Sequence, residues 1–255
     1  MYVVIPCHNE MNSLPALLVA LSRNIGVVPV IVNNRSDDDT PVVAQKMGAL
    51  VIDQPTGRKM AATQHGMRYV RQTFGAKRII FTDGDGLPLP YWAKTITTQL
   101  KHLDTGKGAA VFGTAIFNFG VNRRADVAIT VVGLLLECMR MVRGELPIAR
   151  GHNYGVSFDD NGVIEAALGA LNPDTFASSK QALPDDELIL QTIHRTGAPV
   201  RYMYSAKTWV VTSNDRMTKV SDALAMLRTS GVSYNDVTTK SYQDEYRGMD
   251  SDSKK

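Results

Sequence analysis

Tyr2-Val-Val-Ile-Pro6-Cys7-His8-Asn9-Glu10 is the stretch on which the fold turns. A short run of β-branched and apolar residues gives way at once to polar ones. That is the pattern of a buried strand ending at a polar edge. Leu14, Leu17, Leu18 and Leu21 then recur at helical spacing. Residues 27–32 read as a second strand, ending in Asn33-Asn34. A helix follows over about 41–47, with Thr40 as its N-cap. Residues 49–52 predict a third strand, 60–74 a helix, and Arg78-Ile-Ile-Phe-Thr82 a fourth strand. Strands alternating with helices in this order predict an α/β fold, a mostly parallel sheet with helices on both faces. Ligands of such sheets sit at the carboxyl ends of the strands, so the residues just after each strand are where chemistry is expected.

The second half is less regular. A strand is expected over 109–117, a long amphipathic helix over 124–142 and a strand over 154–158. A helix over 185–194, stopped by Gly197, precedes strands at 200–204 and 208–212 and a helix at 222–228. From residue 233 to 255 the chain reads as a polar tail.

Composition narrows the classes. With 255 residues, 44% hydrophobic and 21% charged, the chain is long and apolar enough for a real core, which excludes disorder over most of its length. The formal charge of +3 points weakly to anionic partners, and no basic stripe interleaved with aromatics suggests nucleic acid. Cys7 and Cys138 cannot build a disulfide framework and match no zinc spacing, so a reducing cytoplasm is the expected location. The most apolar stretch, 125–142, is interrupted by Asp126, Glu137 and Arg140 and falls short of a membrane span. Arg123, Arg124, Arg140 and Arg143 flank it. It reads either as a core helix or as one resting on an anionic membrane, a peripheral contact.

Three polar clusters follow the predicted strands. They are Pro6 to Glu10, then Asn33-Asn34-Arg35-Ser36-Asp37-Asp38-Asp39-Thr40, then Asp83-Gly84-Asp85. Carboxylates at a strand end with a glycine between them suit a hard cation such as Mg²⁺ or Mn²⁺, which completes its shell with water and phosphate. The same triplet also fits a solvated turn. The run Asp37 to Asp39 fits a helix start that complements the dipole.

Together and in this order, the clusters resemble the inverting glycosyltransferases of the GT-A fold, family two. Val3 to Glu10 resembles that family's opening strand and loop, and Ile31 to Thr40 its second strand. Gly57 to Gly66, with Ala61 between, resembles its Gly-x-x-x-Ala segment. Phe81-Thr-Asp-Gly-Asp85 with Pro88, Pro90 and Trp92 resembles its Asp-x-Asp motif and following helix. Gly151-His-Asn-Tyr-Gly155 resembles the strand flanking the acceptor site, and Pro184-Asp-Asp-Glu-Leu188 the helix start that carries the base.

The resemblance implies a single GT-A domain over 1–232, with a nucleotide-sugar and metal half over about 1–112 and an acceptor half over about 113–232. It implies Asp85 as ligand to Mn²⁺ or Mg²⁺, with Asp83 acting through water, and a nucleoside pocket lined by Pro6, Asn9, Glu10 and Asn33 beside Gly84. Arg58 and Lys59 would meet the diphosphate, and His152 and Asn153 would lie near donor or acceptor. Asp186 would be the general base and Asp185 its partner. The donor would be a nucleoside-diphosphate sugar, UDP or GDP, and the acceptor a hydroxyl on a glycan, a lipid or a small molecule. The sequence departs from the family in three ways. Asn33 and Asn34 stand where an acid is usual, no histidine follows Trp209, and the Gln-x-x-Arg-Trp signature of processive synthases is missing. Asn214, Asp215 or water would replace the histidine, and addition of one sugar is favoured over polymerisation. The competing readings are a phosphohydrolase forming an aspartyl-phosphate on Asp83-Gly84-Asp85, and a non-catalytic nucleotide-binding module. The first normally carries its Asp-x-Asp on the first strand; the second needs no carboxylate at Asp186.

Overall fold

The computed structural model describes residues 1–118, 131, 132, 135, 139, 142, 143, 153–171 and 185–213. The first half alternates as the patterning predicts: β1 (Tyr2–Cys7), α1 (Leu14–Ser22), β2 (Val28–Asn33), α2 (Thr40–Lys46), β3 (Leu50–Asp53), α3 (Lys59–Phe74) and β4 (Arg78–Phe81). Then come β5 (Gly86–Pro88), α4 (Trp92–Leu103), β6 (Ala109–Gly113), β7 (Ala115–Asn118) and β8 (Tyr154–Ser157). The remaining elements are α5 (Val163–Gly169), α6 (Asp185–Arg195), β9 (Val200–Met203), a 3-10 turn (Ala206–Thr208) and β10 (Val210–Ser213).

Seven strands form one sheet in the order β3-β2-β1-β4-β8-β6-β9. All neighbours are parallel except β8, which runs antiparallel to both β4 and β6. From β1 the chain winds outward through β2 to β3, then returns to place β4 on the other side of β1. The winding reverses there, so a crevice opens at the carboxyl ends of β1 and β4. Alternation along the strands divides the core in two. Val4, Val30, Val32, Ile79 and Phe81 face α3, α5 and α6; Val3, Ile5, Ile31 and Ile80 face α1, α2 and α4. Gly66 lets α3 lie close on the sheet, since a Cβ there would meet Val4 Cγ1 at 2.5 Å and Val32 Cγ2 at 2.7 Å.

Three expectations are revised. The strand over 109–117 is two strands in two sheets. β7 leaves the main sheet to join β5 and β10 in a smaller one. The break falls at Gly113-Thr114, where Thr114 O accepts from Val210 N at 3.2 Å and a Cβ on Gly113 would strike Thr208 O at 2.5 Å. Thr40 is the first residue of α2 and Asp39 occupies the cap position. The last strand starts at Val210, because residues 206–208 close a 3-10 turn capped by Ser205. The helix expected at 222–228, the 233–255 tail and most of 124–142 lie outside the described residues.

Candidate active site

The crevice is built first from backbone. The loop after β1 is stitched to the loop after β2 by bonds between residues 27 to 30 apart. Asn34 N donates to Cys7 O (2.8 Å), Asn9 N to Ser36 Oγ (3.1 Å), Glu10 N to Thr40 Oγ1 (2.8 Å), Met11 N to Asp38 Oδ2 (3.2 Å) and Asp37 N to Asn9 Oδ1 (2.8 Å). Asn9 and Arg35 take left-handed backbone, φ 58° and 60°, in the turns that allow this interlock. Asparagine adopts that conformation more readily than most residues. Asn33 ends β2 opposite Asp53 of β3 and donates to its Oδ1 at 2.9 Å, while its own Oδ1 accepts from Ser36 N. Pro6 is buried within β1 and Asn9 is exposed at the crevice rim.

The loop after β4 closes against this pair. A Cβ on Gly84 would lie 2.9 Å from Glu10 Cγ and 3.1 Å from Cys7 Sγ, so only glycine lets the two loops approach so closely. Lys59, at the start of α3, sits 2.9 Å from both carboxylate oxygens of Asp83, and Arg58 precedes it at the helix cap. Cys7 records the local field. Burial, followed by the carboxylates of Glu10, Asp83, Asp85 and Asp38, pushes its thiol well above the usual range. The thiol is therefore neutral and no nucleophile. The triplet follows β4, which does not suit an aspartyl-phosphate enzyme with its motif on the first strand.

The opposite wall comes from far along the chain. Asp185, Asp186 and Glu187 form the first turn of α6. Asp186 is 7% exposed; its Oδ1 accepts from Glu187 N at 3.0 Å, and Glu187 holds Gln191 at 3.1 Å. Tyr154 lies between this wall and β4, the strand that ends in the Asp83-Gly84-Asp85 turn. Its ring stacks on Phe81 of β4 (4.8 Å between centroids) and on Phe112 of β6 (5.2 Å), the residues opposite it on the neighbouring strands. Burial raises its hydroxyl pKa well above the ordinary value, and the carboxylates of Asp186, Asp83 and Asp185 raise it further. Asp83 and Asp186, 103 positions apart, thus act on one buried phenol. Sequence reasoning missed Tyr154, since an aromatic in a strand reads as core. Asp53 was also missed, though its place at a strand end was the available signal.

Asn153 has a different place from the one expected. It is 2% exposed, and its amide is taken up by the protein: Trp92 Nε1 donates to Oδ1 (2.8 Å), and Nδ2 donates to Thr114 O and Thr208 O (2.9 Å each). It braces the junction of the two sheets. His152, Pro184, Asn214 and Asp215 lie outside the described residues. Among the described residues no three His, Cys, Asp or Glu side chains form a metal cage. Two carboxylates flanking Gly84, packed against Glu10 at the strand ends, fit a hard cation that takes few protein oxygens and shares phosphate and water.

A mostly parallel sheet interrupted by one antiparallel strand, with its crevice at the switch point, is the GT-A architecture of nucleotide-diphospho-sugar transferases. Residues 2–162 match the model of glycosyl transferase family 2, and the chain belongs to that family. A protein of Mycobacterium tuberculosis strain H37Rv, named an uncharacterized glycosyltransferase, is 47% identical over 53 residues. A Mycobacterium bovis protein of the same description matches to the same extent. The match covers 21% of this chain and 23% of each relative's length. The crystal structure of M. tuberculosis glucosyl-3-phosphoglycerate synthase shares the fold, with TM-score 0.53 and 20% identity over 90% of this chain and 77% of that one. A complex of that enzyme with Mn²⁺, UDP-glucose and phosphoglyceric acid superposes with TM-score 0.53, at 18% identity over 91% of this chain and 78% of that one. No helix among the described residues is long and apolar enough to cross a membrane.

Proposed function

We propose that the chain transfers one sugar, with inversion, from a nucleoside-diphosphate sugar to an acceptor hydroxyl. The observation that carries this reading is a crevice at the sheet's switch point bearing two carboxylate groups, the Asp83-Gly84-Asp85 turn tied to Lys59 and packed against Glu10, and the acidic start of α6. One carboxylate group handles the leaving diphosphate and the other the incoming hydroxyl. Asp186 takes the acceptor's proton as its oxygen forms a bond to the anomeric carbon, and the bond from that carbon to the diphosphate oxygen breaks on the opposite face. Lys59 and Arg58, at the amino end of α3, lie on the diphosphate side and orient it. Asp85, with Asp83 through water, would hold Mn²⁺ or Mg²⁺, which supplies charge neutralisation on the departing group. Asn9, Glu10 and Asn33 line the nucleoside end. UDP and GDP are the candidate carriers, and because the solved synthase is described with UDP-glucose and Mn²⁺ bound, that pair leads the test.

The test is a melting-temperature panel of UDP, GDP, CDP and TDP, each with Mn²⁺ and with EDTA. One diphosphate raising the melting temperature only with metal is the expected result. Asp85→Asn should abolish that rise. A panel in which no diphosphate shifts the protein under any condition overturns the reading.

A further inference from the structure

We infer that Lys59 is an exchangeable counter-ion: it holds Asp83 until a nucleoside diphosphate draws it away, so that diphosphate and metal bind as a coupled pair. The inference rests on the transferase reading above and adds how the two ligands are admitted together. Lys59 Nζ lies 2.9 Å from Oδ1 and 2.9 Å from Oδ2 of Asp83. An ammonium that straddles both oxygens sits where a divalent cation, or the water around it, would approach that carboxylate. More negative charge lies close by. Asp85 is two residues on, and Gly84 between them packs on Glu10, whose Cγ and Cδ would lie 2.9 and 3.3 Å from a Cβ there. Like charges gathered at one turn repel unless a cation offsets them, and the chain supplies one of its own.

Two features let the ammonium leave. The first is the strength of the pair. The side chains of Lys59 and Asp83 are 34% and 24% exposed, so water screens their attraction and the pair is an exchangeable one. The second is what can compete for it. Lys59 is the first residue of α3, a helix of 16 residues with Arg58 at its cap and no acidic residue in its first turn. The amino end of such a helix favours an anion, and a diphosphate offers the ammonium more negative charge than one carboxylate does. Lysine carries its charge on a flexible stem, so the exchange needs only rotation within one side chain. Asp83 is then released as the diphosphate arrives. By linkage, each ligand raises the affinity of the other by the same factor. A cation alone must compete with Lys59 and is held weakly.

The test measures Mn²⁺ binding to the full chain by the electron paramagnetic resonance of the free ion, with no nucleotide present. This separates the exchange from the affinity that any diphosphate has for Mn²⁺ in solution. Lys59→Met should tighten the binding of Mn²⁺ alone about fivefold, because it removes both the competing ammonium and its repulsion of the metal. The same variant should weaken UDP and GDP binding in EDTA. Lys59→Arg keeps the charge and should hold Mn²⁺ at the wild-type level or below it. A lysine that only bound phosphate, or only supported the helix, would give no gain in metal affinity when removed. Mn²⁺ binding by Lys59→Met that is no tighter than wild type, or undetectable in both, overturns the inference, as does tightening by Lys59→Arg. A wild-type chain whose melting temperature still rises with one diphosphate and metal would then keep the transferase reading and lose only the counter-ion role.

Discussion

The two walls of the crevice are built differently. The wall proposed for the donor comes from the first 86 residues, three neighbouring strand ends whose loops are tied by backbone-to-side-chain bonds and by the close approach at Gly84. The wall proposed for the acceptor is assembled from Tyr154 and from α6, which reach the site through ring stacking and packing across the sheet. A wall tied by local bonds keeps its shape when a chemical group on the other wall is removed. A wall held by tertiary packing depends on braces that take no part in chemistry.

The largest expected effect tests that independence. Asp186→Asn should lower transfer by about 10²–10⁴-fold, the range for a general base, while the diphosphate-and-metal shift in melting temperature persists. Equal loss of both would show that the two walls are one unit. Asn153→Leu tests the brace. It leaves the Trp92 indole, Thr114 O and Thr208 O without their buried partner and should cost about 3 kcal/mol or more in a denaturant titration. Gly66→Ala tests the donor wall's support. Its Cβ would press on Val4 and Val32, two β-branched side chains with little room to give, at a cost of about 1–3 kcal/mol and with no change in metal preference.

Acid titration should have the smallest effect at neutral pH and a growing one below it. Burial alone would raise the Asp159 carboxyl, but the N–H groups of Ile164 and Val163 at the start of α5 outweigh it, and the pKa is lowered. Asp38 is lowered in the same way: burial is outweighed by its bonds from Thr40 and Met11. Depressed folded values mean that both groups stabilise the fold above the ordinary carboxylate value of 3.8, and that this contribution is lost as pH falls through the folded values. Asp159→Asn should flatten the acid limb of the stability curve; an unchanged limb would remove Asp159 from it. Asp38 ties the β1 and β2 loops, so acid should loosen the donor wall as it loosens α5.

Much of the donor wall was legible along the chain. Its strands are short apolar runs, and each is followed directly by the residues that line the crevice, so periodicity and position were enough to find Asn9, Glu10, Asn33 and Asp83 to Asp85. Thr40 was misread because its hydroxyl accepts from Glu10 N, a partner 30 residues away, instead of capping its own helix. The strand over 109–117 proves to be two because the chain changes sheet at Gly113-Thr114, the one interruption of its apolar run, and that change depends on Asn153 and Val210, far along the chain.

The sequence by itself determined the alternation of strand and helix, the sheet's polar edge and the acidic and glycine residues along it. These follow from local patterning of side chains, which acts over a few residues. Only the tertiary structure decided the antiparallel β8, the separation of β7 into a second sheet, the bracing role of Asn153 and the stacking of Tyr154 between Phe81 and Phe112. Each of those depends on contacts between segments tens of residues apart or more, where packing and the satisfaction of buried polar groups, not local propensity, select the arrangement.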